Sequence, residues 1–93
     1  MRLTPQELQA IKTVVGRRDP AARIYLFGSR TDDSRRGGDI DLLILSSILS
    51  DCDRRPLRVE LFEQLGEQKI DLLIAKNLSR PFIRIAYSQG VLL

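Results

Sequence analysis

Gly37-Gly38-Asp39-Ile40-Asp41-Leu42-Leu43-Ile44-Leu45 is the stretch on which the fold turns. From Asp39 to Leu45 it is apolar except at two positions, as expected of a buried strand with an unusual start. Aspartate is depleted in strands, yet Asp39 and Asp41 open this one, and period-two alternation puts both side chains on one face about 6.7 Å apart. A second stretch, Lys69-Ile70-Asp71-Leu72-Leu73-Ile74-Ala75, repeats the pattern with Asp71 near its start. Neighbouring strands lie only ~4.8 Å apart, so pairing of these two segments brings three carboxylates together.

Working outward, Arg23-Ile24-Tyr25-Leu26-Phe27 reads as a further buried strand, ended abruptly by Gly28-Ser29. From Arg30 to Gly38 the apolar pattern gives way to charged, Ser and Gly residues, predicting a loop or a short exposed helix. Upstream, Thr4 as N-cap, Pro5 at the first helical position and Glu7 reaching back predict a helix from Pro5 to Val15. Its inner face is Leu8, Ile11, Val14 and Val15, and Gly16 is its expected stop. Downstream, Ser46 to Arg55 reads as a polar linker, and Leu57, Leu61, Phe62 and Leu65 trace a helical stripe closed by Gly66. Asn77 or Ser79 caps a last predicted helix from Arg80 to Ser88, with Phe82, Ile85 and Ala86 facing inward and Gly90 beyond its end. This order predicts an α/β (α+β) fold, a small mixed sheet of three to four strands with helices packed against it.

The 93 residues suit one domain over residues 1–93. Hydrophobic residues at 43% and charged residues at 29% are globular proportions, which excludes disorder. No apolar run approaches membrane-spanning length and no signal-peptide pattern opens the chain, so cytoplasmic residence without membrane attachment is expected. With one cysteine, Cys52, and no histidine, a Cys/His zinc site, an intrachain disulfide and His-dependent triads are excluded. Any metal must therefore be held by oxygen, which points to Mg²⁺ or Mn²⁺. The net charge of +3 suits a polyphosphate ligand or an acidic partner but is far from the dense basic stripe of a nucleic-acid binder.

Two carboxylates ~4 Å apart repel by on the order of 4 kcal/mol at an effective dielectric of 20, and three strain a small domain further. A divalent cation removes that conflict, retaining waters and completing its shell with phosphate oxygens. A bare Asp-x-Asp also matches a solvated strand end by chance, and a bare Gly-Ser matches an ordinary strand-terminating turn. Their combination is more specific, because a strand ending in glycine lets backbone N–H groups approach a phosphate and the serine adds a hydroxyl donor.

Taken together, Phe27-Gly28-Ser29-Arg30, Gly37-Gly38-Asp39-Ile40-Asp41-Leu42 and Ile70-Asp71-Leu72 resemble the polymerase-β-like minimal nucleotidyltransferases in order and spacing. The resemblance implies that Gly28, Ser29 and Arg30 bind the nucleotide. It also implies that Asp39, Asp41 and Asp71 bind Mg²⁺ or Mn²⁺, and that Asp71 activates the acceptor hydroxyl. AMP transfer from ATP, to an acceptor presented by a helical HEPN-domain partner in a toxin–antitoxin pair or by self-association, is the activity it implies. Two positions depart from the family pattern: Asp33 stands where relatives carry a second glycine, and Gly38 where many carry serine. Asp32 and Asp33 instead suit the positive end of a short helix. Arg35 and Arg36 border the motif as candidates to neutralise a triphosphate, although solvated loop arginines are the common case.

Two other classes compete with a catalytic nucleotidyltransferase. One is a non-catalytic, antitoxin-like protein-binding module that neutralises its partner by contact alone; the other is a nucleic-acid binder. Retention of three aspartates and Gly-Ser in register favours catalysis over the first. The second lacks a basic stripe interleaved with aromatics.

Overall fold

The computed structural model describes residues 3–28, 40–66 and 69–93. Helix α1 spans Pro5–Arg18, strand β1 Arg23–Phe27, β2 Ile40–Leu45, α2 Asp51–Leu65, β3 Ile70–Ala75, α3 Pro81–Gln89 and β4 Val91–Leu92. The strands form one sheet in the order β3-β2-β1-β4, with β2 and β3 parallel and the other two pairs antiparallel. The expected α/β fold with a mixed sheet is thus observed, with four strands among the described residues.

The parity of the strand residues sorts the core into two layers. Ile24, Leu26, Ile40, Leu42, Ile44, Ile70, Leu72 and Ile74 point to one face, where Ile11, Val14 and Val15 of α1 and Leu57 and Leu61 of α2 cover them. The opposite parity, Tyr25, Leu43 and Ala75, packs against Ile83 and Ala86 of α3. Tyr25 also meets Tyr87 of α3 edge to face, ring centroids 5.0 Å apart. Central strand β2 is covered on both faces, which explains its nearly unbroken apolar run.

Helix α1 begins with the anticipated capping box, Glu7 N–H donating to Thr4 Oγ1 at 3.1 Å and Thr4 N–H to Glu7 Oε1 at 2.9 Å. It does not stop at Gly16 but runs on to Arg18. Gly16 keeps an ordinary negative φ, Arg17 and Arg18 suit the negative helix end, and Arg18 ion-pairs Glu60 of α2. Of the stretch Ser46 to Arg55 read as a linker, Ser46 to Ser50 is non-helical as expected, but Asp51 to Arg55 is the start of α2, where the Asp53 carboxylate accepts from Ser50 N–H at 2.9 Å. Pro56 is accommodated inside this helix, and the run of charges masked its start. Phe62 is 49% exposed, so α2 buries only Leu57 and Leu61. In α3, whose N-cap is Arg80, the inner residues are Ile83 and Ala86, while Phe82 and Ile85 are 62% and 53% exposed. Ile83 and Ala86, one turn apart, pack against Tyr25, Leu43 and Ala75, which leaves Phe82 and Ile85 on the outer side. Strand β4 was not foreseen because two residues carry no period. It is pinned to β1 by the pairs Tyr25↔Leu92 and Leu26↔Val91. No helix among the described residues is long and apolar enough to cross a membrane.

A buried polar staple ties the α1–β1 connection to the end of β2. Ser46 Oγ donates to Asp19 Oδ2 and accepts from Leu49 N–H at 2.9 Å, while Asp19 Oδ1 accepts from Ala21 N–H at 3.0 Å. Replacing Asp19 by alanine leaves these donors without their buried acceptor. The Asp19→Ala protein is expected to lose about 1–3 kcal/mol in urea denaturation, with an unchanged m value.

Candidate active site

Phe27 pairs with Asp41 across the antiparallel β1–β2 ladder, so the turn after β1 begins beside that carboxylate. Gly28 there has φ +76°, a left-handed backbone that side-chain-bearing residues rarely adopt. A Cβ placed on Gly28 would overlap Asp41 Oδ2 and lie 3.1 Å from Asp41 Cγ. Glycine is therefore required twice over, by the backbone and by the carboxylate lying against it.

On the other side of β2, the parallel ladder sets Asp41 directly opposite Asp71. In-register neighbours in a parallel pair share a face, and here it is the α3 face, since Asp41 and Asp71 have the parity of Leu43 and Leu73. Helix α3, only nine residues long, covers Tyr25, Leu43 and Ala75. Beyond its reach the same face opens into a cavity of about 640 Å³ lined by Phe27, Asp41, Asp71, Leu73 and Phe82 and walled by Arg54, Arg55 and Arg58 of α2. A second cavity of about 490 Å³ adjoins it between α2 and the edge of β3, sharing Arg58 and Asp71 and adding Val59, Phe62 and Lys69.

Of the six predicted site residues, the structure brings Gly28, Asp41 and Asp71 together; Ser29, Arg30 and Asp39 lie outside the described residues, as do Asp32, Asp33, Arg35, Arg36 and Gly38. Among the described residues no three metal-ligating side chains cluster, because only two of the three predicted carboxylates are described. The donor set nonetheless fits a hard divalent ion. Two carboxylates one strand spacing apart repel by roughly 3–4 kcal/mol at an effective dielectric of 20, and they open into a cavity with room for waters and phosphate oxygens.

Arg54, Arg55 and Arg58 went unnoticed in the sequence because their segment read as a linker. Their signal was spacing: once a helix starts at Asp51, Arg54 and Arg58 stand one turn apart beside the Leu57–Leu61 stripe. None has a hydrogen-bond or ion-pair partner among the described residues, and all three are exposed.

This scaffold has a nucleotidyltransferase-type fold, and the sequence agrees. The chain belongs to the polymerase β nucleotidyltransferase family, whose family model matches residues 9–93. Among solved structures it is similar to the crystal structure of the toxin-antitoxin MntA-HpeT mutant-D39ED41E. That match has a TM-score of 0.73 and 25% identity, covering 92% of this chain and 70% of that one. No curated protein matches the chain significantly.

Proposed function

We propose that the chain transfers a nucleoside monophosphate, AMP from ATP, to an acceptor hydroxyl on a HEPN-type partner protein within a toxin–antitoxin pair. The observation that supports this reading is the register Asp41↔Asp71, two carboxylates on one face of the sheet with that of Asp41 lying against Gly28. The similarity to a toxin–antitoxin structure supports the partner.

Asp41 and Asp71, with Asp39 two positions before Asp41 in the sequence, would hold Mg²⁺ or Mn²⁺. When bound, these ions stabilise charge on the attacking and departing oxygens. Gly28 lets the backbone approach the triphosphate, with Ser29 and Arg30 as further donors. Asp71 accepts the proton of the acceptor hydroxyl, whose oxygen bonds to the α-phosphorus as the bond to the α–β bridging oxygen breaks and pyrophosphate departs. Phe27 and Phe82 line the same cavity as the two carboxylates.

The test is incubation with a HEPN-type partner, Mg²⁺ and ATP labelled at either the α- or the γ-phosphate. Label retained on the partner from the α position alone establishes nucleotidyl transfer, whereas retention of γ label rejects it in favour of a kinase. Partner binding with neither label, unchanged in Asp41→Asn, identifies the contact-only module.

A further inference from the structure

We infer that the first half of α2, through Arg54, Arg55 and Arg58, docks an acidic segment of the protein that carries the acceptor hydroxyl. The inference deepens the proposed nucleotidyl transfer and takes from it only the direction of attack. Across the sheet the order is the Gly28 turn, Asp41, Asp71 and then α2, which borders the β3 edge. An in-line displacement sets leaving group and nucleophile on opposite sides of the phosphorus. A triphosphate at the Gly28 turn thus leaves the Asp71 side, walled by the three arginines, to the acceptor.

No ion pair among the described residues engages these arginines, although Asp51 stands three and four positions before Arg54 and Arg55. Arg54 and Arg58 repel one another at i, i+4, and Arg54 and Arg55 stand near the positive end of the helix dipole. On another side of α2, Glu60 already has its partner in Arg18, so the helix does not lack for ion pairs where they serve packing. Next to the arginines, Val59 and Phe62 are 51% and 49% exposed and line the cavity that shares Arg58 and Asp71. An apolar spot bordered by arginine is the composition of a protein interface. A nucleic acid fits less well: α2 carries three arginines against four carboxylates, Asp51, Asp53, Glu60 and Glu63, so its positive charge is one spot and not a stripe for a phosphate backbone to follow.

The experiment uses the whole chain and fluorescent peptides with a central serine, threonine or tyrosine flanked by glutamate, glutamine or lysine, and a short single-stranded RNA. Binding is read by anisotropy without nucleotide. The glutamate peptides are expected to bind about tenfold more tightly than the glutamine ones, with the difference shrinking between about 50 and about 300 mM salt. The Arg54→Glu/Arg58→Glu double variant, which exchanges one like-charged i, i+4 pair for another, should reverse the preference toward the lysine peptides while its MgATP affinity stays within about twofold. Circular dichroism and a matching Arg54→Gln/Arg58→Gln variant, which should lose the preference without reversing it, guard against misfolding. Equal binding of glutamate and glutamine peptides overturns the inference, as does tighter, arginine-dependent binding of the RNA. Loss of MgATP affinity in the double variant also overturns it, by assigning these arginines to the triphosphate. Because the peptides are read without ATP, failure of label transfer would reject the enzymatic reading and leave this measurement standing.

Discussion

Asp41→Asn should reduce nucleotidyl transfer by about three orders of magnitude, because a ligand to the metal ions contributes several kcal/mol of transition-state charge stabilisation at 1.36 kcal/mol per decade. The fold should not suffer. Asp41 is half-buried and asparagine nearly matches its shape, so the substitution opens no cavity and the far-ultraviolet circular dichroism is expected to be unchanged. In thermal melts, Mg²⁺ with a non-hydrolysable ATP analogue should stabilise the wild-type chain and lose most of that effect on Asp41→Asn. Asp71→Asn should differ in kind: transfer falls by about 10²–10⁴, as for loss of a general base, while the analogue still stabilises the protein to a measurable degree. Equal activity of both variants and wild type would remove the carboxylate pair from the chemistry.

The second large effect is expected at Gly28. Gly28→Ala forces a Cβ into the Asp41 carboxylate on a backbone at φ +76°, so both the turn and the carboxylate must shift. The left-handed backbone alone costs roughly 1–2 kcal/mol, and displacement by about 1 Å at the reacting centre lowers activity by about 10²-fold. Gly66 supplies the internal control. It has φ +84° with nothing within 4 Å of an added Cβ, so Gly66→Ala should show the stability loss with transfer unchanged. Denaturation curves and label-transfer rates on the two variants separate strain from site geometry.

The core of this fold was legible where period and burial coincide. The bounds of β1, the phase of β2 and β3, and the capping box of α1 follow from residues that each obey one rule. Legibility failed where signals competed. Gly16 carries a stop signal that the pairing of Arg18 with Glu60 overrides, and the charged run before Pro56 conceals a helix whose cap lies at Ser50. Phe82 and Ile85 looked like core because they are apolar, yet Ile83 and Ala86 lie one turn apart on the same helix and it is that pair that packs on Tyr25 and Leu43. At the site, Asp41 and Asp71 were readable because a carboxylate at the start of an otherwise apolar strand has no packing role. The arginine wall was unreadable for the opposite reason, since it lies on a helix not anticipated there and reaches the carboxylates only through the tertiary packing of α2 on β3.

Sliding β3 by a single residue against β2 would rotate every one of its side chains to the reverse surface, thrusting a carboxylate among Leu42, Leu57 and Leu61 and ejecting Leu72 and Ile74. The greasy interior thereby serves as a vernier for the chemistry: oil-like residues that never meet substrate set the gauge between two acids, and softening that interior would blur the spacing before it unravelled the protein.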